Sequence, residues 1–227
     1  MKTQEPPASR VHLTGVFTAL VTPFTEKGDL DEPALRKLVR RQIGGGVAGV
    51  VPCGTTGEAV TLDLDEHERA FSVTVEEARS ARRAIRVIAG CGSNDTRKSQ
   101  KLAERCRKAG ADALLALSMI PCGADGVISV VSNETPSLLV ALVEAPLTGE
   151  RDEAVRLQAK LLPLMRANFR ESSPIPVKWA LHRLGLIQDV LRLPLVPLSK
   201  GQHKPTEEAL REAGLLDEAG NEVEEES

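Results

Sequence analysis

Four apolar, β-rich runs begin near residues 16, 47, 85 and 113, each followed after a turn by a stretch with helical spacing. This recurrence, at intervals of about 30 residues, constrains the fold more than any other feature of the chain. Val16–Val21 (VFTALV) stops at Thr22-Pro23, where proline ends a strand. Asp31 and Pro33 then open ALRKLVRRQI, which places Leu35, Leu38, Val39 and Ile43 on one face, and Gly44-Gly45-Gly46 closes it. The unit repeats with a strand over Val47–Pro52 and a helix over Asp65–Arg82 that carries Phe71, Val75 and Ala78 inward. A third strand over Ile85–Ala89, a helix over Thr96–Ala109 and a fourth strand from Ala113 to Leu117 follow. Such alternation builds a parallel sheet flanked by helices, either a barrel or a doubly wound sheet. Continuous apolar strands fit a sheet buried on both faces.

The period breaks at Ile120. In ALLALSMIPCGADGVISVVSNETP a second strand-like run, Val127–Val131, is separated from the fourth strand only by Ile120–Gly126, which holds Pro121, Cys122 and two glycines. Parallel neighbours need a crossover of about a dozen residues. Val127–Val131 must therefore pair antiparallel with the fourth strand, pair elsewhere, or not pair as a strand. Beyond it the chain reads as helical over Thr135–Ala145, Arg151–Phe169, Pro176–Leu186 and Thr206–Ala213. The second of these offers Val155, Leu157, Leu161, Leu162 and Met165 as core candidates, and Pro163 as a kink. The expected organisation is a flexible arm over 1–10, an incomplete βα domain over 11–147, a helical domain over 148–216 and a disordered acidic tail over 217–227.

A net charge of -3 gives no electrostatic reason to expect nucleic acid or an anionic membrane as a partner. No apolar run reaches the roughly 18 residues of a membrane span, and MKTQEPPASR lacks a signal-peptide core, so the cytoplasm is the expected location. Cys53, Cys91, Cys106 and Cys122 form no CxxC pair and match no metal-ligand spacing; they read as reduced thiols, with no metal site and no cofactor implied. The chain contains no Tyr at all, so no phenol can carry protons in its chemistry.

The sharpest motif is CGTTGEAVTL, residues 53–62, at the carboxyl end of the second strand, the end at which parallel α/β sheets bind ligands. Gly54 and Gly57 allow a tight turn with free backbone amides, and Thr55 and Thr56 add hydroxyls, a combination suited to a small carboxylate or phosphate. The same string also reads as a turn whose threonines cap the structure that follows. Glu58 and the run Asp63, Asp65 and Glu66 are residue types that suit acid–base work, but Asp63 or Asp65 reads better as the cap of the second helix, with its neighbours stabilising that helix's N-terminus. His67 reads as a surface or interface residue.

The strings GVFTALVTPF, VVPCGTTGEAVTLDLDEH, VIAGCGSN, GVISVVSN and SSPIPVKWALHRLGLI…LRLPLVPLS, in this order over roughly residues 12–216, resemble the dihydrodipicolinate synthase (4-hydroxy-tetrahydrodipicolinate synthase) branch of the pyruvate-dependent class I aldolases. The resemblance implies a (βα)8 TIM barrel with a C-terminal helical domain, a lyase of lysine and diaminopimelate biosynthesis, and a homo-oligomer, dimer or tetramer. It implies a Schiff base between pyruvate and a lysine on the sixth strand, and attack of the enamine on L-aspartate semialdehyde. It gives Thr55 a place in a proton relay with tyrosines, Thr56 the pyruvate carboxylate, and Ile128 a main-chain contact with pyruvate. It also places an effector pocket for lysine near Asn94, although Lys98 stands where lysine-sensitive members tend to carry an acid.

The chain departs from that pattern after the fourth strand, where Pro121-Cys122 leads directly into GADGVISV, the family's eighth strand. The expected fold is thus TIM-barrel-derived and lacks strands 5–7 and their helices, with them the Schiff-base lysine and the relay tyrosines. An imine-forming lysine must be desolvated at the reaction centre. Lys37, Lys98, Lys101, Lys108 and Lys160 fall on expected helices among other charges, Lys178 opens a helix, Lys27 and Lys200 lie in loops, and none sits at a strand end. Three readings stay open: a synthase-like chain without its condensation activity, a non-catalytic carboxylate-binding or subunit-like protein associating with itself or with a complete paralogue, and a deletion product joined between two family strings.

Overall fold

The computed structural model describes residues 13–90, 96–115, 126–145, 148–217, 219–221 and 223; the expected arm, Cys91, Asn94, Cys122 and the Ile120–Gly126 join lie wholly or almost wholly outside them. Five strands, β1 (Gly15–Ala19), β2 (Gly49–Val51), β3 (Arg86–Gly90), β4 (Ala113–Leu115) and β5 (Gly126–Ser129), form one sheet in the order β4-β3-β2-β1-β5, every pair parallel. Helices α1 (Glu32–Gly44), α2 (Leu64–Ser80) and α3 (Thr96–Lys108) supply the crossovers. The βα period read from the sequence thus builds the sheet that it implied.

The run after the break docks at the far edge, parallel to β1, with Val16 opposite Val127 and Phe17 opposite Ile128. Its seat is fixed by Asn133, in the short 3-10 turn Val131–Asn133. The Asn133 amide donates to the Ala19 carbonyl at 2.7 Å and accepts from the Val21 N–H at 3.2 Å, so one side chain replaces ladder bonds where β1 runs out. Among the described residues β4 and β5 do not meet, and the sheet is open.

The two faces of the sheet divide by strand alternation. Val16, Val50 and Val87 join the main core beneath the helices, and Thr18 donates to Gln42 of α1 at 2.7 Å. Phe17, Val51 and Ile88 form a layer on the opposite face, with Ala113 against it. Gly49 is required in that layer, because a Cβ there would lie 2.6 Å from the Phe17 ring.

Among the described residues four further helices follow: α4 (Pro136–Glu144), α5 (Arg151–Ala167), α6 (Ile175–Arg183) and α7 (Lys200–Glu212). The main core runs without a break from the βα units into these helices through Leu161, Leu164, Val177, Leu181 and Leu210. Val155, expected in the core, is 70% exposed, because the buried stripe of α5 runs through Leu157, Leu161 and Leu164 instead. Helix α7 starts earlier than Thr206. Its first turn closes through Gln202 N–H to the Ser199 carbonyl, and His203 stacks on Trp179 at 4.8 Å, so Pro205 lies inside the helix rather than before it. Asp217 and residues 219–221 close a turn in which the Asn221 N–H donates to the Asp217 carboxylate at 2.7 Å.

Candidate active-site loop

Strand β2 ends at Val51, and the chain turns through Cys53–Leu62 before Asp63 starts α2. Asp63 is the N-cap: its carboxylate accepts from the N–H groups of Asp65 and Glu66, and Glu66 returns a bond to the Asp63 N–H. The capping reading of the acidic run therefore holds for Asp63, and this reciprocal box fixes where the loop must end.

Within the loop, Cys53 (φ 55°) and Glu58 (φ 53°) both sit in the left-handed region although neither is glycine. Each such placement costs on the order of 1–3 kcal/mol and persists only where the surroundings enforce it. The Cys53 side is enforced by close packing. A Cβ on Gly90 would run into the Cys53 carbonyl, and one on Gly57 would lie 2.9 Å from the Cys53 nitrogen. The Cys53 thiol is buried against the His67 carbonyl, and burial raises its pKa far above the ordinary range, which disqualifies it as a nucleophile at neutral pH.

Thr55 is exposed, whereas Thr56 is only 6% exposed. Among the described residues neither hydroxyl has a protein partner, while the Thr55 carbonyl and the Gly54 carbonyl accept from Glu58 N–H and Ala59 N–H and close the turn from behind. The Thr22 hydroxyl donates to the Gly57 carbonyl at 2.7 Å and ties the loop to the chain leaving β1. Two hydroxyls on a tight turn at the carboxyl end of a parallel sheet can receive a small anion, with the glycine-spaced amides as further donors. Ile128 does not share this loop. It lies on β5, on the Phe17 face, level with Gly49 across two strand spacings, and is 47% exposed.

Glu58 has no acid–base role in this geometry. It is 1% exposed and pairs with Lys178 of α6, whose ammonium lies 2.6 Å from Oε1 and 3.0 Å from the Thr22 carbonyl, over the Phe24 ring at 4.4 Å. Burial lowers the Lys178 pKa, opposed by the charge of Glu58. The lysine is fully enclosed, with its ammonium bound to Glu58 and the Thr22 carbonyl and covered by the Phe24 ring, so a lowered pKa does not make it an available nucleophile. Lys178 is the one fully buried lysine among the described residues, and no described strand carries a lysine.

Arg192 completes the arrangement from the LRLPL segment. Its backbone N–H donates to Glu58 Oε2 at 3.2 Å, and its guanidinium engages Glu66, the Gly28 and Thr61 carbonyls and the Phe24 ring. Arg192 in turn lowers the Glu66 pKa. Neither Lys178 nor Arg192 has a role legible in the sequence; their one signal is their place inside the PIPVK and LRLPL strings. His67 corrects the surface reading: it is 2% exposed, with Nε2 2.9 Å from the Gly90 carbonyl, because the first turn of α2 packs against the end of β3. Among the described residues no group of three or more His, Cys, Asp or Glu could hold a metal ion, and no helix is long and apolar enough to cross a membrane.

A parallel βα sheet with a threonine-bearing loop at its carboxyl end and helices packed behind it is an α/β architecture of the TIM-barrel-derived kind. A model of the dihydrodipicolinate synthetase family matches residues 12–118 and 115–213, and the chain belongs to that family. The 4-hydroxy-tetrahydrodipicolinate synthase of Acidovorax sp. (strain JS42) is 31% identical over 294 residues, covering 90% of this chain and 98% of its own. That of Methylobacterium radiotolerans is 33% identical over 293 residues, covering 90% and 97%. Among solved structures, a monomeric dihydrodipicolinate synthase variant superposes with a TM-score of 0.84 at 30% identity, covering 90% of this chain and 98% of that one. The synthase of Thermotoga maritima gives 0.83 at 30%, covering 89% and 99%. The chloride-inhibited synthase of Acinetobacter baumannii, complexed with pyruvate, gives 0.84 at 26%, covering 90% and 100%.

Proposed function

We propose that this chain is a synthase-like member of lysine and diaminopimelate biosynthesis, located in the cytoplasm, that binds pyruvate or a similar small carboxylate through Thr55 and Thr56 but does not condense it with aspartate semialdehyde. One observation carries this reading. The alignment with the Acidovorax synthase runs over 294 positions, of which this chain supplies 90% of its 227 residues, about 204. The balance of about 90 positions equals three βα units of about 30 residues. The five parallel strands, with β5 beside β1, agree with a barrel whose fifth to seventh strands are missing. Schiff-base chemistry needs a lysine nitrogen to attack the keto carbon and expel water, and the only fully buried described lysine is bound to Glu58. Loss of the nucleophile removes the covalent route rather than slowing it. Pyruvate followed by borohydride, read by intact mass, is expected to leave the chain unmodified; a reduced pyruvyl adduct on any lysine would overturn the reading.

A second reading, a subunit-like protein that associates with itself or with a complete paralogue, has its own support. Beside the edge of β5, which pairs only with β1 among the described residues, lies an apolar groove of about 690 Å³, lined by Val127, Leu139, Leu142, Val143, Val155 and Met165 among others. Open edges and apolar grooves of this kind favour association. Native mass spectrometry of the chain, alone and with a complete synthase, tests it: a monomer in both cases would sink it.

A further inference from the structure

We infer that Lys178 is a positioning residue for the Thr55–Thr56 loop: its ammonium, seated on Glu58, holds the backbone conformation of the turn that carries the two threonines. The binding half of this inference rests on the carboxylate-binding reading above; the conformational half does not.

The loop has two hinges, Cys53 and Glu58, both left-handed and neither glycine. Packing against Gly90 and Gly57 confines the first. The second, Glu58, carries a set of polar contacts. Glu58 N–H donates to the Thr55 carbonyl, the Glu58 carbonyl accepts from both the N–H and the hydroxyl of Thr61, and the carboxylate is divided between Lys178 and the Arg192 N–H. Lys178 also bonds the carbonyl of Thr22, the residue whose hydroxyl holds Gly57. The ammonium thus joins the loop to the segment that supports it, and Phe24 takes its remaining side.

A fully desolvated ion pair is weak support for stability alone, since apolar residues of similar volume can fill such a site as well or better. What apolar residues cannot supply is direction: the ammonium's two hydrogen bonds, to Glu58 in the loop and to the Thr22 carbonyl in the segment behind it, place Glu58 and with it the turn from Gly54 to Gly57. The contact crosses 120 positions of sequence, from α6 to the β2 loop, so the C-terminal helices set the shape of the candidate site.

The test compares Lys178→Met with Leu161→Ala, a cavity-forming change at a fully buried position on α5. The readouts are the amide 1H–15N shifts of Thr55, Thr56 and Ala59 in the ligand-free full chain, and the pyruvate dissociation constant from NMR titration. Lys178→Met is expected to displace those amide signals, expose the Ala59 amide to exchange and weaken pyruvate by tenfold or more. Leu161→Ala is expected to lower stability while leaving the amides in place and the affinity within twofold. Loop amides unmoved by Lys178→Met, or moved equally by Leu161→Ala, would overturn the inference. If the unmodified chain binds no pyruvate, the carboxylate reading falls and the amide shifts alone decide the positioning role. Should Lys178→Met not fold, the double variant Glu58→Gln/Lys178→Met leaves no buried charge, and displaced or undisplaced loop amides in it decide the same question.

Discussion

Glu134 is fully buried after the Val131–Asn133 turn, where it accepts the Asn168 amide at 2.6 Å on Oε2. Its other oxygen and the Asn168 Oδ1 have no partner among the described residues, and Arg41 spends a guanidinium N–H on the Glu134 backbone carbonyl. Burial pushes the Glu134 pKa up from 4.5 to about 8, against the smaller opposing effects of Asn168 and Arg41. The sign follows directly. The folded chain keeps a proton that the unfolded chain releases above its own pKa, so this group destabilises the fold progressively as pH rises from about 4.5 to about 8, and no further beyond that. At about 1.4 kcal/mol per pH unit, the isosteric and neutral Glu134→Gln variant should gain about 3 kcal/mol on the unmodified chain between pH 5.5 and 8. Urea unfolding of both proteins across that range measures the difference, and histidine titrations common to both cancel. Two pH profiles that run parallel to within about 0.5 kcal/mol would show that Glu134 is ionised in the fold and refute the reasoning.

Three other changes test the loop and its clamp. Arg192→Ala removes the guanidinium contacts to Glu66, Gly28, Thr61 and Phe24, and should cost about 2–3 kcal/mol in urea unfolding; lysine at this position should recover little, since it cannot reproduce the planar fork. Gly90→Ala places a methyl group on the Cys53 carbonyl and should lower stability by at least about 2 kcal/mol, or block folding; an unchanged melting temperature would contradict the packing described for Cys53. Asp63→Ala deletes the α2 cap and should cost about 1 kcal/mol, while Asp63→Asn should retain most of that stability.

What was legible in the sequence was what repeats or acts locally. The βα period, the Asp31 and Asp63 caps, and the glycine-bounded threonine loop all depend on neighbours a few residues away, and the structure contains them. What was not legible depends on residues that meet from far apart. The seat of β5 beside β1 is fixed by Asn133 reaching Ala19 and Val21, a contact that no periodicity encodes. Lys178 reads as an ordinary helical lysine until α6 brings it to Glu58, and His67 reads as exposed until α2 lies against the end of β3. Val155 failed for a subtler reason. The apolar residues of α5 occupy two stripes, and only contact with the main core decides that Leu157, Leu161 and Leu164 are inside while Val155 and Met165 border the groove.

That second stripe and the open sheet belong to one physical situation. The inward layer is complete at Phe17, Val51 and Ile88, each nearly inaccessible, and thins at Ile128, which is half exposed on the same face. On the other face Val127 borders the groove between β5 and the α4–α5 pair. Both features fall at the edge of β5, where in a longer βα sheet a preceding unit would place a strand beside β5 and a helix against α4 and α5. The strand itself, GVIS, has neither charge nor proline to discourage pairing. An edge with these properties favours whatever supplies a parallel strand and an apolar helix together. The threonine loop, by contrast, follows β2, on the far side of β1 from that edge, and its Glu58 is bound to Lys178 of α6.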